Sequence, residues 1–173
     1  MIRFAANDII AVSSGKLYYH AFVLGKQALF GGSLCYVFHE RSGEPRDASH
    51  FLTRKRPGFH AIVDWIGPNR ESRVTRIAKG IDPSLYKAPG LFKHTLVDLI
   101  RQSFPEEPRK PALWTIVDEK FKEKKRTRRL TQAEERLPNF SCLSGNYALK
   151  LARKKWVPEA DERIERRRSG RTA

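Results

Sequence analysis

Asp8-Ile-Ile-Ala-Val-Ser-Ser14 and Leu17-Tyr-Tyr-His-Ala-Phe-Val-Leu24, separated only by Gly15-Lys16, decide the fold. Both are runs of β-branched and aromatic residues, and a two-residue link containing glycine suits an antiparallel hairpin. They are expected to pair as the first two strands. A third run, Ser33-Leu-Cys-Tyr-Val-Phe-His39, follows Gly31-Gly32, and a fourth, Phe59-His-Ala-Ile-Val-Asp-Trp65, lies between Pro57-Gly58 and Gly67-Pro68. Arg73-Val-Thr-Arg-Ile-Ala78 alternates polar with apolar residues and predicts a fifth, half-buried strand with a basic outer face. Short strands punctuated by glycine predict a curved antiparallel sheet or a small barrel.

Beyond Pro89-Gly90 the period changes. Phe92, Leu96, Leu99, Ile100 and Phe104 recur at helical spacing until Pro105, predicting a helix over 91–104. The proline-punctuated stretch 105–111 reads as a linker, and Leu113-Trp-Thr-Ile-Val117 as a strand returning to the sheet. Thr131-Gln-Ala-Glu134 is a capping box opening a short helix that Pro138 limits. Tyr147 to Trp156 places Leu149, Ala152 and Trp156 on one face of a further helix. The expected architecture is α+β: one mixed domain over 1–156, strand-rich over 1–80, with a strand and basic helices over 113–156. A charged helical or frayed tail occupies 157–173, where Glu159 with Arg163 and Glu162 with Arg166 stand four apart.

The chain of 173 residues has 34 Lys/Arg against 19 Asp/Glu, a formal net charge of +15. Residues 1–64 hold eight of the cations against five carboxylates, so most of the excess follows the strand-rich platform. A field of this sign speeds association with polyanions and acidic protein faces. No apolar stretch reaches the roughly 20 residues a membrane helix needs, and the start has no signal-peptide core, which points to the cytoplasm. Cys35 and Cys142 are isolated, forming neither a disulfide framework nor a zinc motif.

The sequence carries no catalytic signature: no phosphate loop, dinucleotide fingerprint, zinc-protease motif or nucleophile elbow occurs. His39, His60 and Asp64 sit in or beside predicted strands, where they form either a metal or acid–base site or, as favoured here, half-exposed sheet residues. Glu106-Glu107 lies in a proline-rich linker without the desolvated setting that tunes a catalytic acid. The expectation is a protein that is not an enzyme and uses no cofactor.

The basic segments carry the candidate site. Arg73 and Arg76 lie on the fifth strand. Lys120, Lys122, Lys124, Lys125, Arg126, Arg128 and Arg129 form the densest run, with Phe121 among them. Lys150, Arg153, Lys154 and Lys155 follow Tyr147 and precede Trp156. Guanidinium and ammonium groups interleaved with aromatics suit phosphate backbones and stacked bases. The same pattern also describes solvated helices with Phe121 and Trp156 in the core.

Asn7-Asp-Ile-Ile-Ala-Val12 and Gly15-Lys-Leu-Tyr-Tyr-His-Ala-Phe-Val-Leu-Gly25 resemble the opening of a polymorphic-toxin immunity protein family, which has a Gly-Asp-Ile start, two short strands and a Tyr-Gly-x-Val-Leu-like ending. Asn7 stands where that family has glycine, and Ala21 where glycine is frequent. Trp114-Thr-Ile-Val117 and Leu130-Thr-Gln-Ala-Glu-Glu-Arg-Leu-Pro138 are similar to its later segments. The resemblance implies a mainly β, non-catalytic protein that neutralises a cognate toxin by binding it, without a cofactor. The partner would then be an acidic protein face, and the alternative is a nucleic acid held through its phosphates without base readout.

Overall fold

A computed structural model of the chain describes residues 4–29, 31–65, 73–95, 113–161 and 164. Two compact units are present, one of Met1–Ala88 with Ser141–Val157 and one of Pro89–Phe140 with Pro158–Ala173. The architecture is α+β.

The first unit is built on β1 (Asp8–Ser14), β2 (Leu17–Lys26), β3 (Ser33–Ser42), β4 (Gly58–Asp64) and β5 (Val74–Ala78), with β9 (Cys142–Ser144) added late in the chain. The sheet order is β5-β1-β2-β3-β4-β9, antiparallel except where β9 runs parallel to β4. The expected antiparallel hairpin forms, with Ser14 opposite Leu17 and Asp8 opposite Val23.

These strands read as continuous apolar runs because both faces of the sheet are covered. Ile10, Val12, Tyr19, Ala21, Val23, Cys35, Val37, Phe59, Ala61 and Val63 point to one core, closed by Phe4 and by Ala148, Leu149 and Ala152 of a helix. The alternate positions Ile9, Phe22, Tyr36 and Phe38 point to the other, closed by Phe51 and Tyr86. Phe51 belongs to α1 (Ser49–Leu52), and Tyr86 ends a 3₁₀ turn, Ser84–Tyr86. Both lie in connections, so the second core is roofed by loops.

The helix over the first core, α3 (Gly145–Arg153), starts at Ser144, whose hydroxyl accepts from the Tyr147 N–H. It ends with Lys155 left-handed at φ 53°, while the Trp156 N–H reaches Leu151 O and the Lys155 N–H reaches Ala152 O. This Schellman turn lays Trp156 edge-on to Phe59 at 5.3 Å. Trp156 thus docks as expected, but from beyond the helix end. Gln132–Glu135 forms α2, whose capping box forms as read from the sequence, with reciprocal Thr131 and Glu134 bonds.

Three expectations fail in the second unit. The segment expected to open a helix over 91–104 is instead β6 (Leu91–Thr95), antiparallel to β7 (Trp114–Asp118). Phe92, Lys93, His94 and Thr95 are all buried, so neighbours cover both faces and tertiary pairing overrides the apparent helical period. Residues 96–112, which carry the rest of that expected helix and the expected 105–111 linker, lie outside the described residues. Second, β7 does not return to the first sheet: it is the centre of a β6-β7-β8 sheet, whose pairing with β8 needs only a short loop to close.

Third, the basic run expected as helix carries β8 (Glu123–Thr127). Lys and Arg favour helix only weakly, and pairing with the buried strand β7 outweighs that preference. Trp114 and Ile116 pack with Leu130 and Ile164, so the 157–173 segment supplies a core residue as well as charge. Its Glu–Arg pairings lie outside the described residues. Lys93 is fully buried, its Nζ donating to Glu135 O at 2.5 Å and Pro158 O at 2.6 Å.

Candidate interaction surface

The β7–β8 turn is made by Asp118. Its Oδ1 accepts the backbone N–H groups of Lys120 and Lys122, each at 2.9 Å. Its own N–H reaches Lys122 O, and its carbonyl receives the Phe121 N–H, both at 3.0 Å. A hydrogen bond from Lys124, helped by those backbone donors, holds the Asp118 carboxyl below its ordinary range. This is a three-residue hairpin loop whose third position is left-handed, a place normally given to glycine. Here it is Phe121, at φ 62°. A left-handed residue with a Cβ costs about 1–2 kcal/mol.

Stacking offsets part of that cost. The Phe121 ring lies 5.1 Å from Phe140 at 27° and meets His94 edge-on at 5.2 Å. Phe121 nevertheless remains 40% exposed, and Leu91, opposite Asp118 across the β6–β7 pair, is 39% exposed.

The basic run around this turn is less naked than its sequence suggests. Lys124 pairs with Asp118 at 3.0 Å, Lys125 with Glu134 at 2.7 Å, and Arg126 with Glu123 at 2.5 Å. Partial burial raises the Glu134 carboxyl, but hydrogen bonds from Lys125 and Thr131 together outweigh it and keep it low. Lys120, Lys122, Arg128 and Arg129 are exposed, and their side chains make no ion pair among the described residues.

In the first unit, Arg76 is committed to structure. Its Nε donates at 2.8 Å to the carboxylate of Asp8, which is only 2% exposed and also receives the Ala5 N–H. Arg73 is exposed just before β5, the edge strand, and its backbone is tied to Ser13. Lys150, Arg153, Lys154 and Lys155 are exposed on and after α3, with Tyr147 49% exposed at its first turn. Within this unit, β5 closes one edge of the sheet while α3 packs on β3, β4 and β9.

The histidines do not converge. His39 faces the α3 side, its Nε2 2.8 Å from Trp156 O, whereas His60 faces the opposite side, against Tyr36 and 3.0 Å from Lys87 O. A strand's successive side chains alternate between faces, which separates His39 from the face shared by His60 and Asp64. Burial lowers both imidazoles below their usual value. Burial also pushes the Cys35 thiol up to about 12, against a hydrogen bond from Trp65, and raises that of Cys142. Among the described residues no group of three or more His, Cys, Asp or Glu is arranged to hold a metal.

A polar cluster that the sequence did not announce clasps the β3–β4 connection. Glu40 binds His50 at 2.6 Å and Arg56 at 3.5 Å, and His20 Nε2 accepts the Arg46 N–H at 3.0 Å. Tyr86 completes it, donating to Phe51 O at 2.7 Å and accepting the Arg56 N–H. The His20 and Tyr86 bonds satisfy backbone groups of the loop that roofs the second core, while the Glu40 pairs tie its side chains to β3. No spacing in the sequence links residues so far apart, because the loop brings them together.

No helix of the described residues is long and apolar enough to cross a membrane. No protein-family model, curated protein or solved structure matches the chain.

Proposed function

We propose that this chain is a non-catalytic binding protein of immunity type, which neutralises a cognate toxin by docking an acidic face of it. The observation that carries the reading is the distribution of uncommitted cations. Arg73, Lys120, Lys122, Arg128, Arg129, Lys150, Arg153, Lys154 and Lys155 are exposed and have no carboxylate partner among the described residues. In the second unit they flank the β7–β8 turn beside exposed Phe121 and follow β8. In the first they precede β5 and lie on and after α3 beside exposed Tyr147. Each such cationic patch suits recognition of an electronegative macromolecule. The resemblance of the β1–β2 segment to an immunity family supports the same reading. The test is co-expression with the product of the neighbouring gene and size-exclusion chromatography. A stable one-to-one complex is expected, and separate elution of the two proteins would refute the reading.

A second reading, binding of nucleic acid through its phosphates, is favoured by Phe121 between Lys120 and Lys122 and by Tyr147 near Lys150, since bases stack on exposed rings. It predicts affinity for single- or double-stranded DNA that falls steeply between about 50 and 200 mM salt. Absence of binding at the lower salt removes it.

A further inference from the structure

Resting on the immunity-type reading, we infer that the end of the β7–β8 hairpin is the principal docking point. Phe121 and Leu91 are its apolar centre, Lys120 and Lys122 its cationic flank, and the partner is a protein whose acidic rim surrounds an apolar recess.

The turn itself does not require a phenylalanine. Glycine closes the same loop without a Cβ penalty, so the Asp118 hydrogen bonds hold the Phe121 ring where the backbone alone would not place a side chain. Phe140 covers one face of that ring, yet two-fifths of the residue stays open to solvent. Leu91 adds a second exposed apolar group across the β6–β7 register from Asp118.

Charge selects the kind of partner. Every β8 cation that would track a phosphate backbone is held by a carboxylate: Lys124 by Asp118, Lys125 by Glu134, Arg126 by Glu123. Each of those ion pairs is net neutral, so β8 offers a phosphate backbone little attraction. The two lysines beside the ring have no such partner among the described residues. An exposed aromatic and aliphatic centre with a mixed-charge margin and a local cationic excess is the anatomy of a protein–protein hot spot, not of a nucleic-acid groove.

The experiment measures affinity of the full chain for the neighbouring gene's product by biolayer interferometry. It compares wild type with Phe121→Gly, with the double variant Lys120→Glu/Lys122→Glu, and with Lys150→Glu/Lys154→Glu on α3. Glycine accepts the left-handed backbone, and the lysines are exposed, so the double variant carries the test even if Phe121→Gly perturbs folding. The expected result is a loss of at least about tenfold for both hairpin variants and less than about threefold for the helix variant. Hairpin variants that bind as wild type does, or a helix variant that loses as much, overturn the docking point while leaving the immunity-type reading intact. No wild-type complex overturns both. A labelled 20-nucleotide dT strand is titrated in parallel: binding that the hairpin variants abolish assigns this surface to nucleic acid and overturns the protein partner.

Discussion

Phe121 stacks on Phe140, 5.1 Å away at 27°, although its backbone is left-handed at φ 62°. The two residues have unequal structural weight, because Phe140 is buried and Phe121 is not. Phe121→Gly removes about 1–2 kcal/mol of conformational strain while losing a partly exposed stack of similar worth. Its stability in urea should therefore stay within about 1 kcal/mol of wild type. Phe140→Ala leaves a cavity beneath the same stack and should cost about 3–5 kcal/mol. If both variants lose stability equally, Phe121 is an ordinary core residue.

Arg76 and Arg73 stand three apart on one edge segment but should respond differently to truncation. Arg76→Ala removes the ion partner of the buried Asp8 carboxylate, which keeps the Ala5 N–H. Because Arg76 is itself partly exposed, the expected loss is about 2 kcal/mol, below that of a fully buried pair. Arg73→Ala should change stability by less than about 0.5 kcal/mol. Chemical denaturation of both variants separates the structural cation from the surface one.

Burial, reinforced by the charges of His50 and Arg46, lowers His20 to about 4, and the neutral imidazole accepts the Arg46 N–H. The unfolded chain takes up this proton near pH 6.5, the folded one only near 4, so the contribution is present above 6.5 and is lost as pH falls through that window. Between pH 6.5 and 5 the expected loss is about 2 kcal/mol. His20→Gln should flatten urea midpoints measured across that range. An unchanged slope would show that His20 is not the group responsible.

Gly58 admits no side chain. A Cβ there would lie 2.4 Å from Val37 O and 2.6 Å from the Tyr36 ring, at the end of the β3–β4 pair. Gly58→Ala must shift backbone and should cost more than about 2 kcal/mol. Gly90→Ala meets nothing within 4 Å and should be near neutral. Thermal melts of the two variants check the contrast.

The sequence by itself determined what local chemistry controls. The β1–β2 hairpin, the strands around Cys35, Ile62 and Arg76, the Thr131–Glu134 capping box and the apolar face of α3 all rest on neighbours a few residues apart. It also placed the cations and the nearby aromatics. Only tertiary structure decided the rest. Leu91–Thr95 became a strand because β7 pairs with it, and the basic run became one because β7 pairs on its other side. Carboxylates at Asp8, Asp118, Glu123 and Glu134 then chose which cations are neutralised. Alternation along β3 and β4 sent His39 and His60 to opposite faces. Ion pairing and strand partnership depend on which segments meet in space, and no spacing along the chain encodes that meeting.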